Sequence, residues 1–212
     1  MKALQCVELG GPEKLEINEV EAPSAIPGHV VIDVKSGSIN FPDVLMIQGL
    51  YQYQPPLPFT PGGESAGVIS EVGEGVTKFK VGDKVFAMTG VGAFAEKILA
   101  AEASCMAIPD SMDYDSAAAL SMVYGTSLYA LKQRANIQPG ETLLVLGASG
   151  GVGLATIELG KAMGAKVIAA ASTQDKIDIC MAHGADEGFI YPDPGSIFEM
   201  RYSANDIEII AN

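Results

Sequence analysis

The stretch TLLVLGASGGVGLATIELGKAMGAKVIAAAS, residues 142–172, decides the fold class. It opens on a continuous apolar run of strand length, TLLVLGA (142–148), and turns through glycines. It continues as GGVGLATIELGKAMGA (150–165), with apolar residues at helical intervals up to a Gly-Ala stop. A second buried run of strand length, KVIAAAS (166–172), follows at once. Strand, glycine turn, helix and strand in that order form a βαβ unit of a parallel sheet. Downstream the alternation continues with a helix over TQDKIDICMAHGA (173–185) and a third strand over GFIY (188–191). DIEIIAN (206–212) is a candidate fourth strand.

The turn itself, Gly147, Ala148, Ser149, Gly150, Gly151, Val152 and Gly153, sits where the first strand ends and the helix begins. A diphosphate needs backbone N–H groups at a helix N-terminus and no Cβ in the way, and glycines there meet both needs. The spacing is GxxGxxG, with Ser149 where the commoner fingerprint has its middle glycine. Alone, such a turn can be merely structural; inside a βαβ unit it predicts a dinucleotide site. The end of the second strand chooses the coenzyme. NAD sites usually place Asp or Glu there, roughly 20 residues past the glycines, to accept from the ribose hydroxyls. This chain has Ala169-Ala170-Ala171-Ser172-Thr173, with Lys176 a turn further on. Two hydroxyls and an ammonium suit a 2′-phosphate, so NADPH is expected over NADH. Ser172 and Thr173 can equally serve as N-caps of the helix that starts there, and the two roles are compatible.

Upstream, residues 1 to about 110 are short β-type runs fenced by Gly and Pro. Examples are ALQCVEL (3–9), VVIDVKSGSI (30–39), AGVISEVG (66–73) and KVFAM (84–88), a pattern that predicts a β-barrel or sandwich. Residues 113–136, DYDSAAALSMVYGTSLYALKQRAN, switch to helical spacing and are expected to connect two domains, 1–122 and 123–212. Composition bounds the function. A formal charge of -13 without a Lys/Arg cluster argues against nucleic acid. No apolar run reaches the roughly 18 residues of a membrane span, and the N-terminus lacks a secretory pattern, so a cytoplasmic location is expected. The three cysteines, Cys6, Cys105 and Cys180, stand far apart, which suggests neither a disulfide framework nor a zinc finger. His29 and His183 are isolated in sequence and read as surface or capping residues.

Four separated segments, in order, carry a resemblance. They are NFPDVLMIQGLYQYQPPLPFTPGGESAGVISEVGEGVTKFKVGDKV (40–85), GAFAEKILA (92–100), AAALSMVYGTSLYAL (117–131) and GETLLVLGASGGVGLATIELGKAMGAKVIAAAS (140–172). Together they resemble the medium-chain dehydrogenase/reductases, and within them the zinc-independent quinone oxidoreductase branch, of zeta-crystallin type. The resemblance implies an α/β chain with a GroES-like β-barrel substrate domain, a Rossmann domain, and a cleft between them for the nicotinamide. It further implies dimers and a quinone, or another α,β-unsaturated carbonyl, as the small-molecule substrate. Zinc-dependent relatives carry a Cys and a GHE-type motif where this chain has Asn40-Phe41-Pro42-Asp43 and Gly62-Gly63-Glu64, so no metal is expected on ligand supply.

Without a metal, hydride addition to a conjugated carbonyl needs only orientation and hydrogen bonds to the developing enolate. By resemblance, Tyr51 is the donor to that carbonyl and Asn40 an orienting residue near the nicotinamide ribose. Asn40 can also serve a turn before Pro42, and Tyr51 can simply pack in its loop with Tyr53. Thr126 matches a contact to the nicotinamide carboxamide, and Tyr191 one that stacks near the adenosine phosphate. Asp43 and Glu64 are set aside from catalysis, as a helix cap and a loop brace. Glu158 departs from the family pattern, which has Gln there. The chain is also shorter than the family norm, and after Tyr191 it is only loosely similar. A partial Rossmann domain, lacking its fifth and sixth strands and with weak or absent turnover, is therefore expected. The alternative to an enzyme is a silent nucleotide-binding or interaction protein of the same fold.

Overall fold

Residues 1–191 and the backbone of residues 207–210 are described by the structure, a computed structural model. The chain divides into two compact units, Met1–Met122 and Val123–Asn212.

The first unit is antiparallel throughout. β1 (Lys2–Cys6) pairs with β2 (Leu15–Glu19). A second sheet holds β3 (His29–Ser38), β4 (Glu64–Val72), β5 (Lys84–Met88), β6 (Lys97–Ala101) and β7 (Cys105–Ala107) in the order β6-β3-β4-β5-β7. The period of two along each strand sorts the side chains onto opposite faces. Val30, Ile32, Ile69, Val85, Ile98 and Ala100 share one core. Ala66 and Phe86 instead meet Ala117 and Ala118 of a short helix, Tyr114–Ala118. Two register shifts between β3 and β4, at Val31/Ile32 and Val34/Ser36, are irregularities of the bulge type that bend a sheet. At Gly67 the strands press so closely that a Cβ would stand 2.1 Å from the Asp33 carbonyl oxygen, and only glycine fits. The first pair of strands meets the rest of the unit through bridges at Ala3 with Ala95 and Cys6 with Phe59. A single helical insertion, α1 (Phe41–Ile47), follows β3. The helix at Tyr114–Ala118 is α2.

In the second unit the alternation read from the sequence is present. α3 (Ser121–Leu128), which begins before the division between the units, runs into a π-helical turn at Tyr129–Ala135. Then come β8 (Thr142–Leu146), α4 (Gly151–Ala162), β9 (Lys166–Ala171), α5 (Gln174–Ala182), β10 (Glu187–Ile190) and β11 (Ile207–Ile210). Their order is β10-β9-β8-β11, with every neighbour parallel. In chain order that is third, second, first, fourth, the doubly wound arrangement in which the first strand sits at the switch point. Successive residues of β8 and β9 are buried whichever way they point, as the apolar runs without alternation predict. Leu143, Val145, Val167 and Ala169 pack with Ile157 of α4 and Cys180 of α5. Leu144, Ile168 and Ala170 pack with Leu146 and Phe189 in a separate cluster. Of the fourth-strand segment, residues 207–210 pair with β8, while Asp206, Ala211 and Asn212 lie outside the described residues. Among the described residues no helix is long and apolar enough to cross a membrane.

Candidate functional site

The glycine turn forms at the C-terminal end of β8, the first strand and the switch point. The Ala148 N–H donates to the Ala170 carbonyl of β9 at 3.1 Å, and Gly150 N–H donates back to Gly147 carbonyl at 3.0 Å, closing the turn. Gly147 adopts φ 63, a left-handed conformation that a side chain disfavours. Gly150 is the N-cap of α4 in extended conformation, and no side chain caps that helix. The first N–H groups of a helix have no intrahelical partner, so the amides at the head of α4 have none from the helix and none from a capping side chain. Gly153 is pressed onto the turn. A Cβ there would lie 2.6 Å from the Ala148 carbonyl oxygen and 2.7 Å from its Cα, both backbone atoms that cannot swing aside. Tyr191, beyond β10, brings its hydroxyl to the Gly147 N–H and accepts from it. The sequence reading placed Tyr191 near the adenosine phosphate, and the structure does bring it to the turn.

At the end of β9 the three residues assigned to a 2′-phosphate also meet. Lys176 Nζ donates to Ser172 Oγ at 2.9 Å, on an exposed surface. Thr173 is the N-cap of α5, its hydroxyl accepting from Lys176 N–H at 3.4 Å. Thr173 thus takes the capping role held open for it, while the Lys176 head and Ser172 hydroxyl face solvent. Asp175, in the first turn of α5, is the nearest acidic residue in sequence. Thr126 is exposed on α3 beside Ser127, which is buried.

In the first unit, Asn40 is the N-cap of α1 and Asp43 its third residue. The Asp43 carboxylate accepts from Asn40 N–H at 2.8 Å and from Gly62 N–H at 3.2 Å. Burial pushes the Asp43 carboxyl above the usual carboxylate range, against the pull of the Asn40 and Gly62 amides. Asn40 Nδ2 donates to Glu64 Oε1 at 2.8 Å, and Glu64 Oε2 accepts from Met122 N–H, also at 2.8 Å. Glu64 is 1% exposed, so this carboxylate is held by neutral N–H donors inside the unit. Asn40 is therefore both the turn residue considered at the outset and a fixed amide, and the brace assigned to Glu64 acts on it. Sequence reading missed that link. Its signal was a charged residue opening an otherwise apolar strand, Glu64-Ser65-Ala66-Gly67-Val68-Ile69. Tyr51 packs partly buried on Cys6, Met46, Ile47 and Phe59, and Tyr53 is 56% exposed. Among the described residues the Tyr51 hydroxyl has no hydrogen-bond partner, so it remains available as a donor. Asn40 and Tyr51 stand beyond opposite ends of α1, whose seven residues rise about 10 Å.

His183 is not isolated. It caps the C-terminus of α5, and its Nδ1 lies 2.6 Å from Glu158 Oε1 on α4. The Tyr124 hydroxyl donates to the other oxygen of Glu158. That hydroxyl first, and His183 second, hold the Glu158 carboxyl below its usual range, and the same contact raises Tyr124. Positions 124, 158 and 183 carry no shared sequence pattern, which is why reading them singly found nothing. Among the described residues no three His, Cys, Asp or Glu side chains converge as a metal site requires.

Residues 26–110 match the alcohol dehydrogenase GroES-like domain. The chain is 37% identical over 220 residues to the quinone oxidoreductase of Rattus norvegicus, a match covering all of this chain and 67% of the rat protein. Among solved structures, a probable oxidoreductase from Mycobacterium abscessus superposes with a TM-score of 0.87 at 41% identity, over 91% of this chain and 61% of the other. The quinone oxidoreductase of Thermus thermophilus, solved also in complex with NADPH, superposes with a TM-score of 0.80 at 34% identity, over 90% of this chain and 60% of the other. The chain thus spans about two thirds of the rat protein and three fifths of the two solved chains.

Proposed function

This chain belongs to the quinone oxidoreductase branch of the medium-chain dehydrogenase/reductase family, and from that premise we propose that it is an NADPH-dependent reductase of a quinone or another α,β-unsaturated carbonyl, working without a metal. The observation that carries the reading is the head of α4, where a glycine N-cap leaves the first amides uncapped and Gly153 admits the helix against the turn. That cradle fits a diphosphate by charge and by shape.

The residues divide the coenzyme among them. Ser149, Gly151, Val152 and Gly153 hold the diphosphate through their backbone amides, while Gly147, Ala148 and Gly150, whose N–H groups go to Tyr191, Ala170 and Gly147, shape the turn around it. Ser172, Lys176 and the Thr173 backbone take the 2′-phosphate, in a stretch of β9 that ends without a carboxylate. Thr126 contacts the carboxamide. NADPH bound there supplies the hydride that adds to the β-carbon of the acceptor. Tyr51 donates a hydrogen bond to the acceptor's carbonyl oxygen as negative charge develops on it. Asn40, held by Glu64, orients the nicotinamide ribose.

The donor chemistry favours a metal-free reaction. Where zinc relatives have a thiolate and the imidazole of a GHE-type motif, this chain has the Asn40 amide and Gly63, which has no side chain, and the Glu64 carboxylate beside it is already engaged by two N–H groups. Cys105 is pushed up to about 11, by burial first and the Glu102 charge second, so it is a poor thiolate ligand at neutral pH.

Titration of the chain with NADPH and NADH, read by nicotinamide fluorescence, tests the coenzyme, and single-turnover oxidation on mixing with a small quinone tests the chemistry. NADPH should bind at least about 10-fold more tightly, a difference of about 1.4 kcal/mol. Equal affinities sink the 2′-phosphate assignment. Tight binding without oxidation makes the chain a nucleotide-binding protein instead.

A further inference from the structure

Two hydroxyls that the proposed chemistry does not use lie buried behind the phosphate turn. Ser127 on α3 and Thr156 on α4 are each 1% exposed. Thr156 Oγ1 lies 2.7 Å from the Val152 carbonyl oxygen and 3.0 Å from Ser127 Oγ. Ser127 Oγ in turn lies 3.0 Å from the same Val152 oxygen and 2.8 Å from the Val123 carbonyl oxygen. Four contacts share two protons, so the pair works as one unit with the Val152 oxygen as its common target. On the neighbouring turn, a Cβ at Gly151 would come within 3.0 Å of Val123 Cγ1, so α3 lies close against the head of α4.

The Val152 carbonyl and the Gly153 N–H belong to one peptide, which is planar and trans. Gripping the oxygen at one end therefore fixes the direction of the N–H at the other. That N–H is one of the amides at the open head of α4. Hydrogen bonds accepted by the oxygen also polarise the peptide and make its N–H a stronger donor. Gly153 is in addition the residue whose missing Cβ lets the turn close.

We propose that the Ser127 and Thr156 hydroxyls are positioning residues that aim the Gly153 amide at the dinucleotide's diphosphate and hold Thr126, the neighbour of Ser127, in register with that cradle. The inference rests on the reading of α4 as the diphosphate site. It goes beyond that reading by assigning specificity for the diphosphate to side chains that never touch it.

Thr156→Val and Ser127→Ala remove the hydroxyls with little change of volume. NADPH is one probe. Adenosine 2′-phosphate is the other, because it engages the Ser172 and Lys176 end without a diphosphate. Each substitution should weaken NADPH by about 3- to 10-fold, the loss of one hydrogen bond's worth of alignment. Adenosine 2′-phosphate should be unaffected, and the double variant should lose less than the product of the single losses. Thr156→Ser keeps the hydroxyl and should restore NADPH affinity. In the ligand-free protein, the Gly153 amide resonance should move upfield in Thr156→Val and return in Thr156→Ser. A hydroxyl pair that only stabilises the fold would lower the melting temperature and leave the ratio of the two affinities and the Gly153 resonance in place, which overturns the proposal. Failure of the unaltered chain to bind NADPH counts against the coenzyme reading instead. Without NADPH binding the Gly153 amide has no diphosphate to meet, and the positioning claim falls with that reading, whereas NADPH binding left intact by Thr156→Val and Ser127→Ala overturns the positioning claim alone.

Discussion

α4 and α5 follow successive strands of one parallel sheet and end alike. At each C-terminus a glycine with positive φ, Gly164 or Gly184, is followed by an alanine whose N–H reaches back to the carbonyl of Gly160 or Cys180. They begin differently. α5 starts on Thr173, whose hydroxyl caps its first turn, whereas α4 starts on Gly150, which has no side chain to offer. The Thr173 hydroxyl closes part of the first turn of α5. At α4 the first amides stay open beside a residue where no Cβ fits, as the proposed diphosphate site requires. On one sheet, a single N-cap residue therefore separates a self-capped helix start from an open one.

The comparison breaks most severely at Gly153. Gly153→Ala forces a methyl against the Ala148 backbone and should lift α4 off its turn. The expected cost is about 1–3 kcal/mol of stability by overpacking and a loss of NADPH affinity of at least about 100-fold. Thermal melts and fluorescence titration measure the two losses. A tolerant variant that still bound NADPH would mean that the turn is not the cradle.

Next in size is the charge at the head of α5. Lys176→Glu should weaken NADPH by about 10- to 100-fold and leave NADH nearly unchanged, with parallel titrations as the readout. Equal losses for both coenzymes would place Lys176 away from the 2′-phosphate.

Gly150→Ser sharpens the contrast by giving α4 the kind of start that α5 has. The backbone there is ordinary, and a Cβ meets only the Gly147 carbonyl oxygen, at 3.4 Å, so the residue fits. A serine cap should hold or slightly raise the melting temperature, by no more than a few tenths of a kcal/mol, while competing with the ligand and weakening NADPH by about 5-fold. The mirror change, Thr173→Ala, should cost about 0.5–1 kcal/mol of stability, at the low end for a bond as long as 3.4 Å.

The smallest effect lies in the strap between the two helices. Glu158 is partly exposed and its carboxyl is held low by Tyr124 and then His183. A depressed carboxyl gives stability that is complete above the usual glutamate value of about 4.3 and is lost as pH falls through its folded value. Glu158→Gln should flatten that acid limb by less than about 1 kcal/mol, as measured by urea unfolding at stepped pH. An unchanged limb would show that the contact contributes nothing to folding.

Much of this was legible beforehand, for reasons that are local. The runs at 142–148 and 166–172 declared buried parallel strands because they are apolar without alternation. The glycines between them declared a close approach, and the Gly-Ala pair at Gly164 and Ala165 marked the end of the first helix. Ser172, Thr173 and Lys176 share one strand end and one helix start, so sequence proximity sufficed to bring them together. The partners of Asn40, Glu158 and Val152 were not legible. Glu64 is 24 residues from Asn40, His183 is 25 from Glu158, and Ser127 is 25 from Val152. A hydroxyl or carboxylate among apolar neighbours has no period that names its partner.

The order of residues by itself determined the βαβ alternation, the place of the glycine turn, and the absence of an acidic residue at the end of β9. These follow from backbone sterics and from side chains within a turn of one another. Only the tertiary structure decided that Glu64 grips Asn40, that Tyr191 reaches Gly147, and that two buried hydroxyls hold the Val152 peptide. Such pairings exist because distant segments are packed until their unpaired polar atoms find each other. In a dry interior a polar atom left without a partner is costly.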